Sequence, residues 1–231
     1  MTSVTPPIPK ISCIVPAHNE GPRIGAVLDV LVGHKLLDEV IVVNDGSTDD
    51  TLDVLRSRSG IRLINIEKNI GKTGALKVGF LAAHNDILMT IDSDLVGLAE
   101  DNITELIKPV LDRRADVTMS LRGNSLLIFK ILGIDYVSGE RVFSKRLLGD
   151  LDDLDLLFGF GFESYMNKII VAQKLRIKVV KWNNVISPRK FVKFSHKEGK
   201  KRDAEMVKAI IKYLSLKGLL HQYFRMFWLK V

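Results

Sequence analysis

The sequence holds one cysteine, Cys13, in 231 residues, so no disulfide can close within it and a reducing compartment suits it. Its first ten residues contain three prolines and no apolar stretch, so no signal peptide is expected there. No uncharged run in the C-terminal region approaches the roughly 18–20 residues that span a bilayer. Repeats and low-complexity tracts are absent, and no recognised nucleic-acid module is present, so nucleic acid is not an expected partner. What is there is a 46% hydrophobic chain that can bury one sizeable core, and one domain is expected. Cys13, inside an apolar run, is expected to be a small buried hydrophobe.

Charge is divided unevenly. Residues 1–167 carry 17 Lys and Arg against 24 Asp and Glu, a net of −7; residues 168–231 carry 17 against 3, a net of +14. No acid follows Glu205, while Lys208, Lys212, Lys217, Arg225 and Lys230 alternate with Tyr213, Tyr223, Phe224, Phe227 and Trp228. Such a segment suits an amphipathic helix lying on an anionic membrane surface. A terminal helix that docks on the core or on a second subunit, giving a homodimer, is the other reading.

Three times an apolar, β-branched run meets a polar loop and then a helical pattern. Residues 11–15 lead into Pro16-Ala17-His18-Asn19-Glu20, residues 39–44 into Asp45-Gly46-Ser47-Thr48-Asp49, and residues 61–66 into Asn69-Ile70-Gly71-Lys72-Thr73-Gly74. Helical patterns follow over 24–31, 51–55 and 75–83. Ser47 and Thr48 suit a helix N-cap, which would leave the Asp45 carboxylate to a ligand; His18 reads as a polar loop residue. Strands alternating with helices imply an α/β fold with a mostly parallel sheet covered on both faces, whose ligands sit beyond the strands' carboxyl ends. A fourth run, 86–91, ends in Asp92-Ser93-Asp94. Side chains two apart on a strand point the same way, so both carboxylates leave the sheet edge together. Paired oxygens there suit Mg²⁺ or Mn²⁺ shared with a phosphate-bearing substrate. Gly71-Lys72-Thr73 is not a P-loop, since position 66 is isoleucine where that motif needs glycine.

In order and spacing, Pro16–Glu20, Val43–Asp49, Asn69–Lys72 and Asp92–Asp94 resemble the motifs of glycosyltransferase family 2. The resemblance implies a Rossmann-like GT-A fold and a nucleotide-diphosphate-sugar donor, UDP- or GDP-linked. It implies that Pro16, Ala17, Glu20 and Asp45 hold base and ribose. Asn19, Gly71, Lys72, Asp92 and Ser93 complete the implied donor contacts, and Asp94 would hold the metal on the diphosphate. A sugar-phosphate nucleotidyltransferase would carry a Gly-rich loop with Arg and Lys after the first strand, where Pro16–Glu20 stands instead. A non-enzymatic nucleotide-sugar binder is a third reading.

For the acceptor, residues 116–121 read as a strand ending in Arg122, and Ser138-Gly139-Glu140-Arg141 precedes an expected helical run through Leu148. Polyprenyl-phosphate sugar synthases within the family are similar here, and the likeness implies that Arg122 and Arg141, with Glu140, meet an acceptor phosphate. Arginine forks suit phosphate. Ser138–Glu140 and Gly161–Glu163 are also similar to glucosyl-3-phosphoglycerate synthases, which implies a small phosphorylated acid as the alternative acceptor. Glu163 opens a helix, where its charge is favoured by the dipole, and is the candidate general base for a hydroxyl acceptor. His196 is the implied second metal ligand, and residues 197–202 are either a basic lid or a solvated charge run. The expected organisation is a tail over 1–10, a GT-A domain over 11–203, and a basic amphipathic segment over 204–231. The expected location is cytoplasmic, with peripheral attachment to the inner face of the cell membrane left open.

Overall fold

The computed structural model describes residues 10–156, 161–188, 218 and 221–231. Its centre is a seven-stranded sheet of β1 (Ile11–Ala17), β2 (Glu39–Asp45), β3 (Arg62–Ile66), β4 (Ile87–Thr90), β5 (Val117–Arg122), β6 (Arg141–Ser144) and β7 (Ile177–Trp182). The strand order is β3-β2-β1-β4-β6-β5-β7. Only β6 runs antiparallel to its neighbours. The remaining six therefore share one direction and present their carboxyl ends at one edge.

Strands β1 and β2 bury both faces, which is why they are rich in Ile and Val. In β2, Ile41 and Val43 face one core while Val40 and Val42 face the other. The first core takes α3 (Gly71–Ala82) through Ala75, Leu76 and Phe80, and α6 (Gly161–Gln173) through Phe162, Met166 and Ile170. The second takes α1 (Gly21–Leu31) through Ile24, Val27, Leu28 and Leu31, α2 (Thr51–Arg56) through Leu55, and α4 (Glu100–Leu111) through Ile103, Leu106 and Ile107. Gly79 of α3 sits so close to Ile14 of β1 that a Cβ there would collide with the isoleucine side chain. Cys13 is fully buried, as expected.

One expected element is different. The helical run after Arg141 is instead strand β6 followed by a 3-10 turn, Lys145–Leu148. Val142 buries in one core and Phe143 in the other, so this short run is apolar on both faces, and periodicity alone cannot tell a strand from a helix over four residues. Because β6 is reversed, its beginning lies at the edge where β4 and β5 end, with Arg141 opposite Thr90 and Met119. The hairpin-like reversal brings Ser138–Glu140 to the loops read as the site. Short helix α5 (Leu127–Leu132) lies between β5 and β6, and residues 221–228 are helical. Of the expected segments, 1–9, 197–202 and most of 204–231 lie outside the described residues.

Candidate active site

At the carboxyl edge, the loops after β1 and β2 are tied to one another. Asn19, in the left-handed region at φ 56°, accepts the Thr48 N–H on its side-chain oxygen at 2.8 Å and donates its own N–H to Ser47 Oγ at 3.0 Å. His18 Nδ1 lies 2.7 Å from the Asp45 carbonyl, consistent with a polar loop role. Glu20 ion-pairs with Arg23 at 2.9 Å and is nearly buried. Pro16 and Ala17 close β1 at this edge.

Two expectations about the second loop change. The carboxylate that serves α2 is Asp49, accepting Thr51 N–H at 3.0 Å and Thr51 Oγ at 2.5 Å; Ser47 instead donates to Asn44. The Asp45 carboxylate, expected to be free, is engaged within the chain. It accepts Ile70 N–H at 2.7 Å and Gly71 N–H at 2.9 Å, satisfying orphan donors at the start of α3. Gly71 itself adopts φ 84°, which glycine reaches without strain.

The centre of the site is a chain of opposite charges. Lys72 Nζ, from the first turn of α3, lies 2.7 Å from Asp92 Oδ1 and 2.8 Å from Glu163 Oε1. Arg122 Nη1, from the end of β5, lies 3.5 Å from Asp92 Oδ2 and 3.0 Å from Glu140 Oε1. Glu140 is fully buried and also accepts Ser120 Oγ at 2.5 Å and Ser138 Oγ at 3.0 Å. Thus Asp92 carries one cation on each oxygen. Gly139 lies against this pair: a Cβ there would stand 2.5 Å from Asp92 Oδ1 and 2.6 Å from Lys72 Nζ. Any side chain would push the pair apart.

The electrostatics follow. Burial opposes ionisation of Asp92, but Lys72 and then Arg122 override it and hold its pKa down to about 2. Burial likewise opposes the charge on Lys72, yet Asp92 and Glu163 keep its pKa above the ordinary value. For Glu140 burial prevails, raising its pKa despite Arg122. Glu163 is fully buried at the start of α6, with Oε1 on Lys72 and, among the described residues, no hydrogen bond to Oε2.

Asp94 stands two residues beyond Asp92 and accepts Ser187 Oγ at 3.0 Å. Ser93 is nearly buried between them. Among the described residues no group of three or more His, Cys, Asp or Glu forms a metal cage. His196 lies outside the described residues. The Asp94 carboxylate is a hard oxygen donor of the kind that could hold Mg²⁺ or Mn²⁺ together with a substrate and water.

Arg141 is placed otherwise than expected. Its guanidinium is fully buried, donating to the carbonyls of Ser138 at 2.9 Å and Tyr136 at 3.1 Å and to Asn167 Oδ1 at 2.8 Å. It braces the 136–141 loop against α6 rather than facing an acceptor. Residues that sequence reasoning missed are Ser120, Asn167 and Ser187, while Ser138 stands within a motif that gave it no role of its own. Ser120 was signalled, since it lies two before Arg122 on an apolar strand and so shares its side.

The chain matches the family description Glycosyl transferase family 2 over residues 12–131. It is 31% identical over 131 residues to an undecaprenyl-phosphate 4-deoxy-4-formamido-L-arabinose transferase of Yersinia pestis bv. Antiqua, covering 53% of this chain and 39% of that protein. The chain thus spans about two fifths of the length of the curated relatives it matches. Among solved structures, glucosyl-3-phosphoglycerate synthase of Mycobacterium tuberculosis with Mn²⁺, UDP and glucosyl-3-phosphoglycerate superposes with a TM-score of 0.70 at 24% identity, over 88% of this chain and 79% of that one. The same enzyme with Mg²⁺ and UDP gives a TM-score of 0.64 at 25% identity, over 78% and 72%.

Proposed function

The chain belongs to glycosyl transferase family 2, and from that premise we propose that it moves a sugar from a UDP- or GDP-linked donor to a phosphate-bearing acceptor, preferably a polyprenyl phosphate. The observation that carries this is Asp92, with Lys72 on one oxygen and Arg122 on the other. Two cations side by side at the sheet edge suit two anions brought together: the donor diphosphate near α3, and the acceptor phosphate near β5.

In this proposal the loops ending in Pro16, Ala17, Asn19 and Glu20 line the nucleoside side, with Asp45 setting the α3 N-terminus that carries Gly71 and Lys72. Lys72 stabilises negative charge on the departing nucleoside diphosphate. Asp92 and Ser93 border the donor. Asp94, with His196, would hold Mg²⁺ or Mn²⁺, which supplies charge neutralisation on the leaving diphosphate. The structural relatives bind these ions with UDP, which supports the assignment. Arg122, locked by Glu140, meets the acceptor phosphate.

A phosphate oxygen is already an anionic nucleophile, so this transfer needs no general base. That agrees with Glu163, whose carboxylate is buried and engaged by Lys72. A lipid-borne acceptor would bring the protein to a membrane surface; among the described residues no helix is long and apolar enough to cross one. A second reading, transfer to a small phosphorylated acid, is favoured by the likeness to glucosyl-3-phosphoglycerate synthase across most of the chain; there Glu163 would serve as base.

The test is a transfer assay with UDP- and GDP-sugars, Mn²⁺, and either a short polyprenyl phosphate or 3-phosphoglycerate. Glycosylated polyprenyl phosphate supports the first reading. Transfer only to the soluble acid supports the second, and donor binding without any transfer overturns both.

A further inference from the structure

Helix α5, Leu-Ile-Phe-Lys-Ile-Leu in sequence, has no buried residue. Leu127 and Ile131 are 72% and 71% exposed, and Leu126 and Ile128 are also open to solvent. The helix over 221–228 shows the same habit. Its buried side chains are Gln222 and Met226, while Phe224, Phe227 and Trp228, spaced i, i+3 and i+4, form an exposed apolar stripe, with Trp228 at 80%.

The two are neighbours. Phe129 of α5 stacks on Tyr223 with ring centroids 6.3 Å apart, and Lys230 Nζ donates to the Leu132 carbonyl at 3.0 Å. Leaving several large apolar side chains in water forgoes the stabilisation that covering them would give, and such patches on one surface mark interaction sites.

The charges name the partner. Residues 126–134 and 221–231 contain Lys130, Arg225 and Lys230 and no Asp or Glu. Aromatic and aliphatic stripes rimmed by cations suit the interface of an anionic bilayer. A second copy meeting this face about a two-fold axis would oppose cations to cations. We propose that α5 and the helix over 221–228 together form a docking face that lies in the headgroup region of an anionic membrane. This deepens the polyprenyl-phosphate reading. Only residues 123–126 separate α5 from Arg122, so the docked face would set the acceptor-side cation beside the lipid headgroups.

Flotation of the whole 231-residue chain with vesicles of phosphatidylglycerol and phosphatidylcholine tests this without any transfer step. The protein should float with them, weakly or not at all with phosphatidylcholine alone, and less as salt rises. The Leu127→Glu/Ile131→Glu variant and Trp228→Ala should each bind at least about tenfold more weakly, with an unchanged far-ultraviolet spectrum. Failure of the wild type to float, or equal flotation of both variants, overturns the docking face. So does a wild-type dimer in light scattering that these substitutions dissociate, which would make the face a subunit contact. Parallel transfer to polyprenyl phosphate in detergent separates the two readings: transfer without vesicle binding removes the docking face alone, and vesicle binding without transfer removes the acceptor reading alone.

Discussion

Lys72 and Glu163, 91 residues apart, meet at 2.8 Å and join the first turn of α3 to the first turn of α6 across the carboxyl edge of the sheet. The same ammonium reaches Asp92 at 2.7 Å. One cation therefore neutralises two carboxylates from different elements, one of them fully buried. Lys72→Met should leave Glu163 without its cation and Asp92 with Arg122 alone, a loss of about 3 kcal/mol in urea unfolding, near the lower end expected for a broken buried pair because Lys72 and Asp92 keep some solvent access. Adding Glu163→Gln should recover part of that loss. A Lys72→Met protein as stable as wild type would show that the pair contributes nothing.

The same network sets an acid limit. Asp92 titrates at about 2 instead of the ordinary 3.8. A carboxylate depressed by folding stabilises the native state above its unfolded pKa, and that contribution disappears as pH falls from about 4 to about 2. The shift corresponds to about 2–3 kcal/mol. Glu140, raised by burial, acts in the opposite sense, destabilising the fold where it must ionise. Denaturant unfolding across this range should show wild-type stability falling by about 2 kcal/mol more than that of Asp92→Asn. Parallel curves for the two proteins would remove Asp92 as the group responsible.

Much of this arrangement was legible in the sequence, and the reasons are local. Strands β1 to β4 announce themselves because apolar, β-branched runs end in polar loops, and parallel order brings those loops to one edge. The partnerships were not legible, because they depend on the reversed strand β6. Nothing in Arg141-Val-Phe-Ser144 distinguishes four residues of strand from one helical turn, yet the strand brings Glu140 to Arg122 and Gly139 to the Lys72–Asp92 pair. Asp45 illustrates a different limit. Its place at a strand end was clear, but two backbone donors at the start of α3 compete for its oxygens, and they lie 25 and 26 residues away.

Asp45 should accordingly matter to stability. Asp45→Ala removes both acceptors from the α3 N-terminus, and capping losses of this kind cost about 1–2 kcal/mol. Thermal unfolding should register the loss, and Asp45→Asn, which keeps one acceptor, should lose less. Donor affinity should fall in step, because Lys72 stands on the same turn. An Asp45→Ala protein with native stability and weakened donor binding would return the carboxylate to direct ligand contact.

Asp94→Asn keeps an oxygen for Ser187 but loses a charge. The fold should survive, while transfer should fall by roughly 10²-fold or more, as expected when charge neutralisation worth several kcal/mol is lost. A readout independent of turnover is the Mn²⁺-dependent rise in melting temperature of the UDP-bound protein, which should vanish in the variant. Wild-type transfer should also stop in excess EDTA and return with Mn²⁺. Full activity of Asp94→Asn, or of the chelated wild type, would remove this carboxylate from the metal site.

Two arginines that look alike in the sequence should separate cleanly when replaced. Arg122 stands at the site edge with its side chain 14% exposed, whereas Arg141 is fully buried on two carbonyls and Asn167. Burial lowers the Arg141 pKa, partly opposed by Glu163, so this charge is held at a cost that its hydrogen bonds offset. Arg141→Met should strand the Ser138 carbonyl and Asn167 Oδ1, while the Tyr136 carbonyl keeps Asn167 Nδ2, and destabilise the chain by about 2–4 kcal/mol, lowering activity only through the fraction unfolded. Arg122→Gln should retain a donor for Glu140 and most of the stability, leave calorimetric donor affinity within about twofold, and raise KM for the phosphate-bearing acceptor with little change in KM for donor. If Arg122→Gln instead weakens the donor and leaves acceptor KM untouched, the two cations on Asp92 both serve the diphosphate, and the acceptor must be recognised elsewhere along the edge.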